Sequence, residues 1–196
     1  MNIPNTITFS RVVVAFAAAF FLCMSFPFSA TIALVLFILA AASDWVDGYI
    51  ARKNNIVTNL GKFMDALCDK VMVIGLFMTL LGLGLYGRGM WTVFAIFCTF
   101  ASVTREFFVS GIRMLAANAN IVLAAETLGK YKAAFQMYSI GAIIFAHAMV
   151  MDFPPAMSIL RDIAFYSGHA TLAISTILSL VSGFGYFTKY GYLLKE

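Results

Sequence analysis

The chain has 196 residues, of which 62% are hydrophobic and 11% are charged, and its formal net charge is +4. This composition excludes an ordinary soluble domain, in which about 25% of the residues are charged. The small positive charge fits the sidedness of a membrane protein better than nucleic-acid binding, so we expect an integral membrane protein with no nucleic-acid partner.

Charge-free runs divide the chain into predicted membrane-spanning helices. About 20 residues cross a bilayer, and the first run, 12–43, is long enough for two helices, which we separate at Ser25-Phe26-Pro27. A cleavable signal peptide is the competing interpretation, but no clear small-x-small cleavage site follows this run. We therefore predict an all-α integral membrane fold that forms a single membrane-embedded domain over 1–196. Its six transmembrane helices are 6–25, 29–52, 59–84, 89–118, 126–151 and 162–187.

Four aspartates interrupt the apolar sequence around the junction of the second and third predicted helices. Asp44 and Asp47 are spaced i, i+3, and Asp65 and Asp69 are spaced i, i+4. Each spacing places the two carboxylates on one helix face. The polar segment 53–59 predicts a tight turn between the helices, so the two acidic pairs meet at a similar depth.

The four carboxylates predict bound cations. Unpaired acids at one place repel one another, and each acid within a membrane span costs about 3 kcal/mol. Oxygen ligands without His or Cys favour Mg²⁺ or Mn²⁺ over zinc, and four aspartates suffice for two ions that serve phosphoryl chemistry. Two alternatives stay open: structural salt bridges to Arg52, Lys62 and Lys70, and an ion or proton pathway, as in a divalent-cation transporter.

Lys and Arg are distributed unequally between the two sides of the predicted membrane domain. With the N-terminus in the cytoplasm, Arg88 and Arg161 lie on the far side, and the other eleven of the 13 lie toward the cytoplasm. This bias follows the positive-inside rule. It predicts a multi-pass protein of the inner (cytoplasmic) membrane whose acidic site faces the cytoplasm.

The acidic segment resembles the signature of the CDP-alcohol phosphotransferases. The pattern runs from Asp44-x-x-Asp47-Gly48-x-x-Ala51-Arg52, through eight residues, to Gly61-x-x-x-Asp65-x-x-x-Asp69, and all eight fixed positions match. The opening 2–11 resembles the P-N-x-x-T-x-x-R start of these enzymes. The resemblance implies the six-helix fold of this family, usually as a homodimer in membrane lipid, with release of CMP from a CDP-linked donor.

Two further segments bear on the acceptor alcohol. Residues 104–113 and 128–132 look like segments of bacterial phosphatidylglycerophosphate synthases, which implies CDP-diacylglycerol and sn-glycerol 3-phosphate as substrates. Arg105 and Arg113 share a helix face, and Lys130 and Lys132 follow after a short loop, so we expect these four cations to bind the acceptor phosphate. The alternative is that they are ordinary positive-inside residues. Ala133 departs from the family pattern, which has Thr after the second Lys.

The resemblance also implies roles for individual residues. The acceptor attacks at this site, and serine, inositol phosphate and phosphatidylglycerol remain alternatives to sn-glycerol 3-phosphate as that acceptor. Asp69 is expected to accept the proton of the acceptor hydroxyl, or to orient that hydroxyl. The metal ligands are expected to be Asp44, Asp47, Asp65 and Asp69. The expected CDP-binding residues are Asn5, Thr8, Gly48, Ala51, Arg52 and Gly61.

Overall fold

The chain folds into six long α-helices within the part that the structure describes. The computed structural model describes the backbone of 3–53, 59–118 and 127–194, and the side chains there except those of 3–7, 44–53, 59, 60, 62, 118, 127, 156, 193 and 194. The described residues contain no β-strand. In chain order the helices are α1 (Ile3–Leu22), α2 (Ser29–Lys53), α3 (Asn59–Gly82), α4 (Met90–Asn118), α5 (Thr127–Met151) and α6 (Ser158–Tyr190).

The predicted helices are confirmed in number and order among the described residues, and their ends differ by at most four residues. α6 begins before Arg161 and continues past Lys189. These ends differ because a charge-free run marks only the apolar part of a helix, whereas the backbone hydrogen bonds continue into the polar boundary. α1 ends earlier than predicted, at Leu22, and the chain turns through Phe28, which has a φ of 65°.

The helices have the length and composition of a membrane protein. Among the described residues, three stretches are long and apolar enough to cross a bilayer: Met90–Ala117, Leu128–Met151 and Ser158–Tyr190. Shorter apolar helical stretches are Thr8–Leu22 in α1 and Ser29–Ser43 in α2. The prediction of an all-α membrane fold is confirmed.

Small side chains allow close packing between the helices. α1 contacts α2 and α3, α5 contacts α6 and α2, and α4 contacts α6. Ala18 and Ala33 are fully buried in α1 and α2, and Ile140 and Leu172 are fully buried in α5 and α6. Small residues let membrane helices approach closely, which increases van der Waals contact. The resulting core holds the N-terminal halves of α1 and α3 beside one another, and these carry the residues described below.

Asp152, at the end of α5, caps the start of α2. One carboxylate oxygen accepts a hydrogen bond from the Phe28 backbone N–H (3.0 Å), and the other accepts bonds from the Thr31 N–H and hydroxyl (2.7 Å each). The first N–H groups of a helix have no partner within the helix. Asp152 satisfies one of these groups, the Thr31 N–H, together with the N–H of Phe28 just before the helix, from more than 120 residues away, and thereby joins the end of α5 to α2.

Replacing Asp152 with Ala is expected to lower the free energy of unfolding by about 1–2 kcal/mol, the usual cost of a lost N-cap. The melting temperature of the purified protein in detergent measures the effect. The matched control is Asp162→Ala, which removes an exposed acid that contacts only its neighbour Arg161 among the described ion pairs. Equal melting temperatures for the two variants would contradict the capping role.

Candidate active site

α3 presents two of the four predicted acidic residues on one face. Asp65 and Asp69 lie one turn apart, and 54% of the Asp65 side chain is exposed, while Asp69 is half-buried. Asp44 and Asp47 lie in the last three turns of α2, but their side chains are outside the described set. Because the carboxylates of Asp65 and Asp69 are accessible to solvent, a hydrated cation can bind to them without a change in the helix packing.

α1 brings a buried arginine to these acids. The Arg11 side chain is completely buried, and its Nη1 lies 3.5 Å from Oδ1 of Asp65. Thr8, one turn earlier on α1, is also buried. Buried charges require an opposite charge nearby, so Arg11 ties α1 to the acidic face. We did not predict a site role for Arg11, although the resemblance of the opening segment ends at this residue.

The predicted nucleotide residues lie around the same helix ends. Gly48, Ala51 and Arg52 fall in the last two turns of α2, and Gly61 falls in the first turn of α3. Gly61 is half-buried, whereas the side chains of Arg52 and Asn5 are outside the described set. The backbone is helical at Gly48, Ala51, Arg52 and Gly61, as the spacing of the pattern requires. The role of these residues in nucleotide binding stays a prediction.

The Arg105 side chain lies against α6. Its Nε donates a hydrogen bond to the Ser179 carbonyl (3.1 Å), and its Nη2 donates one to the Ser182 hydroxyl (2.5 Å). A Cβ atom at Gly183 would lie 2.7 Å from Arg105 Cγ, so the absence of a side chain at Gly183 allows this approach. These contacts hold the guanidinium, which is only 9% exposed, in a defined place.

Arg113 is also oriented by α6. Its Nη2 donates a hydrogen bond to the Tyr186 hydroxyl (2.9 Å), and its guanidinium carbon lies 5.4 Å from the centre of the Tyr186 ring. Tyr186 is fully buried, while Arg113 is exposed. A planar guanidinium held at one edge can still present its other N–H groups to an anion.

The two predicted lysines of α5 differ in their surroundings. Lys130 is exposed, whereas the Lys132 side chain is only 7% exposed and its ammonium contacts the carboxylate of Glu106 on α4. The same carboxylate oxygen lies 3.5 Å from Arg105 Nη1. The structure therefore brings Lys132 and Arg105 together around an acid to which we assigned no role from the sequence.

Charge–charge interactions connect the basic residues of α4 and α5 with α3. The charges of Arg105, Asp69 and Lys70 act on the Lys132 ammonium. The charges of Arg113, Asp69 and Arg105 act on Lys70, which donates a hydrogen bond to the Ser110 hydroxyl of α4. Asp69 is therefore near enough to Lys132 of α5 for their charges to interact, although more than 60 residues separate the two in sequence.

The donor set is consistent with a hard divalent cation. Asp65 and Asp69 offer only oxygen atoms, which suits Mg²⁺ or Mn²⁺. Among the described side chains, no three His, Cys, Asp or Glu residues form a metal-binding group. Asp44 and Asp47 are outside that set, so the four-aspartate site stays a prediction that fits the accessible face of α3.

Besides Arg11, four more residues around this site have no predicted function. Lys70 has a local signal, because it directly follows Asp69. Glu106 lies within a segment that we noted for its resemblance, next to Arg105. Ser110 and Tyr186 have no such signal, because an isolated hydroxyl in an apolar helix is common and its partners are distant in sequence.

Known proteins resemble this chain along nearly its whole length. Residues 1–181 match the family described as CDP-alcohol phosphatidyltransferase. A CDP-diacylglycerol–glycerol-3-phosphate 3-phosphatidyltransferase of Bacillus subtilis (strain 168) is 34% identical over 99% of this chain and 97% of its own. A protein of the same name from Rickettsia bellii (strain RML369-C) is 30% identical over 95% of this chain and 93% of its own. A cardiolipin synthase (CMP-forming) of Oryza sativa subsp. japonica is 33% identical over 96% of this chain and 57% of its own.

Proposed function

Because the chain belongs to the CDP-alcohol phosphatidyltransferase family, we propose that it transfers the phosphatidyl group of CDP-diacylglycerol to sn-glycerol 3-phosphate. The products are phosphatidylglycerophosphate and CMP, and the reaction belongs to phospholipid biosynthesis. Relatives that are 30–34% identical over nearly the full chain carry this activity in their names. The chain is thus a multi-pass membrane enzyme of this family.

The observation that carries the choice of acceptor is the pair of buried cations that meet at Glu106, one of which interacts with Asp69. Arg105 and Lys132 both lie against Oε1 of Glu106, and the charge of Asp69 acts on Lys132. A phosphate dianion entering a site lined with aspartates requires positive charges of its own. A neutral acceptor such as serine does not require these positive charges. We assign Arg105, Arg113, Lys130 and Lys132 to the acceptor phosphate.

Divalent cations are general requirements of this family, and we propose that two Mg²⁺ or Mn²⁺ ions bind to this chain. Asp44, Asp47 and Asp65 would hold them, with help from Asp69. Bound metal ions neutralise phosphate charge and stabilise the attacking and leaving oxygens of a displacement. Gly48, Ala51 and Gly61 leave room for the cytidine and its ribose, with Arg52, Asn5 and Thr8 as hydrogen-bond donors or acceptors to the nucleotide.

The reaction itself is a single displacement at phosphorus. The 1-hydroxyl oxygen of glycerol 3-phosphate attacks the lipid-side phosphorus of the diphosphate, the bond from that phosphorus to the CMP oxygen breaks, and CMP leaves. Asp69 accepts the hydroxyl proton or orients the hydroxyl for attack. A general base must lie within hydrogen-bond reach of the proton that it removes. Arg105 and Lys132 hold the acceptor phosphate so that its hydroxyl reaches Asp69.

The orientation of the enzyme in the membrane follows from the distribution of its Lys and Arg residues. We propose one catalytic domain over 1–196 in the inner membrane, with the active site facing the cytoplasm, since eleven of the 13 Lys and Arg residues lie toward that side in the predicted topology. We also propose a homodimer in membrane lipid. Cysteine labelling of Lys130→Cys from each side of sealed vesicles tests the orientation.

An acceptor panel tests the proposed function. Purified enzyme in mixed micelles receives CDP-diacylglycerol with glycerol 3-phosphate, serine, inositol phosphate or phosphatidylglycerol, and CMP release is measured. We expect release with glycerol 3-phosphate alone. Release with another acceptor only would replace the proposal, and no release with any acceptor would contradict enzyme function.

Phosphatidylglycerol is the second candidate acceptor, because a cardiolipin synthase is among the relatives. That relative is a longer protein, and this chain spans 57% of its length. Phosphatidylglycerol carries its phosphate inside a lipid, so its recognition differs from that of a small soluble dianion. Competition by inorganic phosphate distinguishes the two: it should inhibit transfer to glycerol 3-phosphate and leave transfer to phosphatidylglycerol nearly unaffected.

Replacing Arg113 with Ala is expected to raise the KM for glycerol 3-phosphate by about tenfold or more, the cost of one hydrogen bond to a charged group. The KM for CDP-diacylglycerol should change much less. Steady-state kinetics with each substrate varied in turn measures both constants. Tyr186→Phe keeps the ring beneath the guanidinium and removes its hydroxyl partner, so a smaller shift is expected. An equal rise in both KM values for Arg113→Ala would indicate a role in folding instead.

A further inference from the structure

Glu106 lies at the centre of a buried charged group. Its side chain is only 19% exposed and contacts the ammonium of Lys132, which is 7% exposed. Arg105 Nη1 lies 3.5 Å from the same Oε1 atom. The carboxylate therefore contacts one cation from its own helix, α4, and one from α5.

The backbone of Glu106 joins this group to the acidic helix. The Ser110 hydroxyl donates a hydrogen bond to the Glu106 carbonyl (2.7 Å), and Lys70 donates to the same Ser110 hydroxyl. Lys70 directly follows Asp69 on α3. Arg105 extends the connections to Ser179 on α6. Four helices thus meet around one turn of α4.

The charges explain why an acid is required in this position. Arg105, Lys132 and Lys70 all act on one another electrostatically, and two of these side chains are nearly excluded from water. Positive charges this close repel strongly where the dielectric constant is low. A carboxylate between Arg105 and Lys132 offsets the repulsion and draws both groups toward one point.

Glu106 is not suited to touch the acceptor itself, because its negative charge repels a phosphate dianion. It can act only through the cations that it holds. An ammonium has three N–H donors, so Lys132 can contact Glu106 with one donor and a phosphate oxygen with another. The same arrangement gives Arg105 two partners on α6 and one on Glu106.

We infer that Glu106 is a positioning residue of the acceptor site, whose carboxylate fixes Lys132 and Arg105 in the places where they bind the phosphate of glycerol 3-phosphate. This inference rests on the proposed function and names a residue that acts on the acceptor alone. CDP-diacylglycerol binding should not depend on it.

The first test is Glu106→Gln in the purified full-length enzyme. Gln keeps the size of the side chain and removes its charge. We expect the KM for glycerol 3-phosphate to rise about tenfold or more, with the KM for CDP-diacylglycerol within about twofold. The melting temperature should fall, because the variant leaves the buried Lys132 and Arg105 without their shared counter-charge. Glu106→Asp, which keeps the charge, should recover part of the loss. An unchanged KM for glycerol 3-phosphate, or an equal rise for both substrates, would overturn the inference.

A double variant separates positioning from stability. If Glu106 acts through Lys132 and Arg105, then Glu106→Gln combined with Lys132→Met should raise the KM for glycerol 3-phosphate by clearly less than the product of the two single-variant effects. The double variant also removes both charges of the pair, which membrane interiors tolerate better than one unpaired charge. It therefore serves as the readout if the single variant fails to fold. Additive effects would overturn the inference.

Asp162→Asn is the matched control. Asp162 also follows an arginine, Arg161, and pairs with it at 2.8 Å, but it is exposed and lies in the first turns of α6, far along this helix from Ser179. Its kinetics should equal those of the wild type. Failure of the inference leaves the proposed function intact, because wild-type transfer to glycerol 3-phosphate is measured in the same assay.

Discussion

Replacing Asp69 with Asn is expected to lower the rate of phosphatidyl transfer by about 10²- to 10⁴-fold, the usual contribution of a general acid or base. Asn has the shape of Asp and keeps a hydrogen-bond acceptor, but it does not take up the proton of the attacking hydroxyl. Asp69 is half-buried on α3, and its charge acts on Lys132 and Lys70. Because the variant affects proton transfer in the chemical step, the loss of activity should appear in kcat. This constant is measured as the rate of CMP release at saturating concentrations of both substrates.

The concentration of metal separates the two roles proposed for Asp69. If Asp69 is chiefly a base, the loss should persist at saturating Mg²⁺, and metal affinity should change only a few-fold. If high Mg²⁺ restores full turnover, Asp69 serves as a metal ligand and not as the base. Full turnover of Asp69→Asn at ordinary Mg²⁺ would refute both roles. Asp162→Asn again provides the control for loss of one carboxylate from the chain.

Removing divalent cations with EDTA is expected to lower transfer by at least about 100-fold, the scale on which electrostatic stabilisation of a transition state acts. Mg²⁺ or Mn²⁺ should restore it, since the site offers carboxylate oxygen and neither His nor Cys. Zn²⁺ should restore much less. Isothermal titration of the chelated enzyme with Mn²⁺, with and without CDP, measures binding independently of turnover.

The Asp65→Asn variant tests whether Asp65 is a ligand of the required divalent cations. Asp65 is more than half exposed and lies 3.5 Å from Arg11, so the variant keeps a polar group beside the buried guanidinium. We expect it to need a higher Mn²⁺ concentration for half-maximal binding and activity. Metal-independent transfer by the wild type, or unchanged Mn²⁺ binding by this variant, would contradict the proposed metal site.

The helices could be predicted from the sequence because their signals are local. Charge-free runs of sufficient length mark the membrane spans, and Ser25-Phe26-Pro27 marks the break between α1 and α2. The boundaries moved where polar residues continue a helix, as at Arg161 and Lys189. Tertiary packing supplied the capping of α2 by Asp152, which no local pattern indicates.

The candidate site could be predicted from the sequence only as far as the spacing within each helix decides which residues share a face. Helical spacing places Asp65 and Asp69 on one face, and likewise Arg105 and Arg113. Spacing says nothing about which side chain on another helix meets them. The pairing of Arg11 with Asp65, and of Arg113 with Tyr186, depends on how α1 meets α3 and how α4 meets α6.

The sequence by itself determined the membrane class of this protein, the order of its helices, and a family signature that identifies its chemistry. These depend on composition and on spacings within one helix, which the period of the helix converts directly into a shared face. Only the tertiary structure decided that Lys132 meets Glu106, that the Arg105 side chain packs against α6, and that the charge of Asp69 acts on Lys132. The physical reason is that buried charges are stabilised by partners across helix interfaces, and those partners are set by packing among residues distant in the chain.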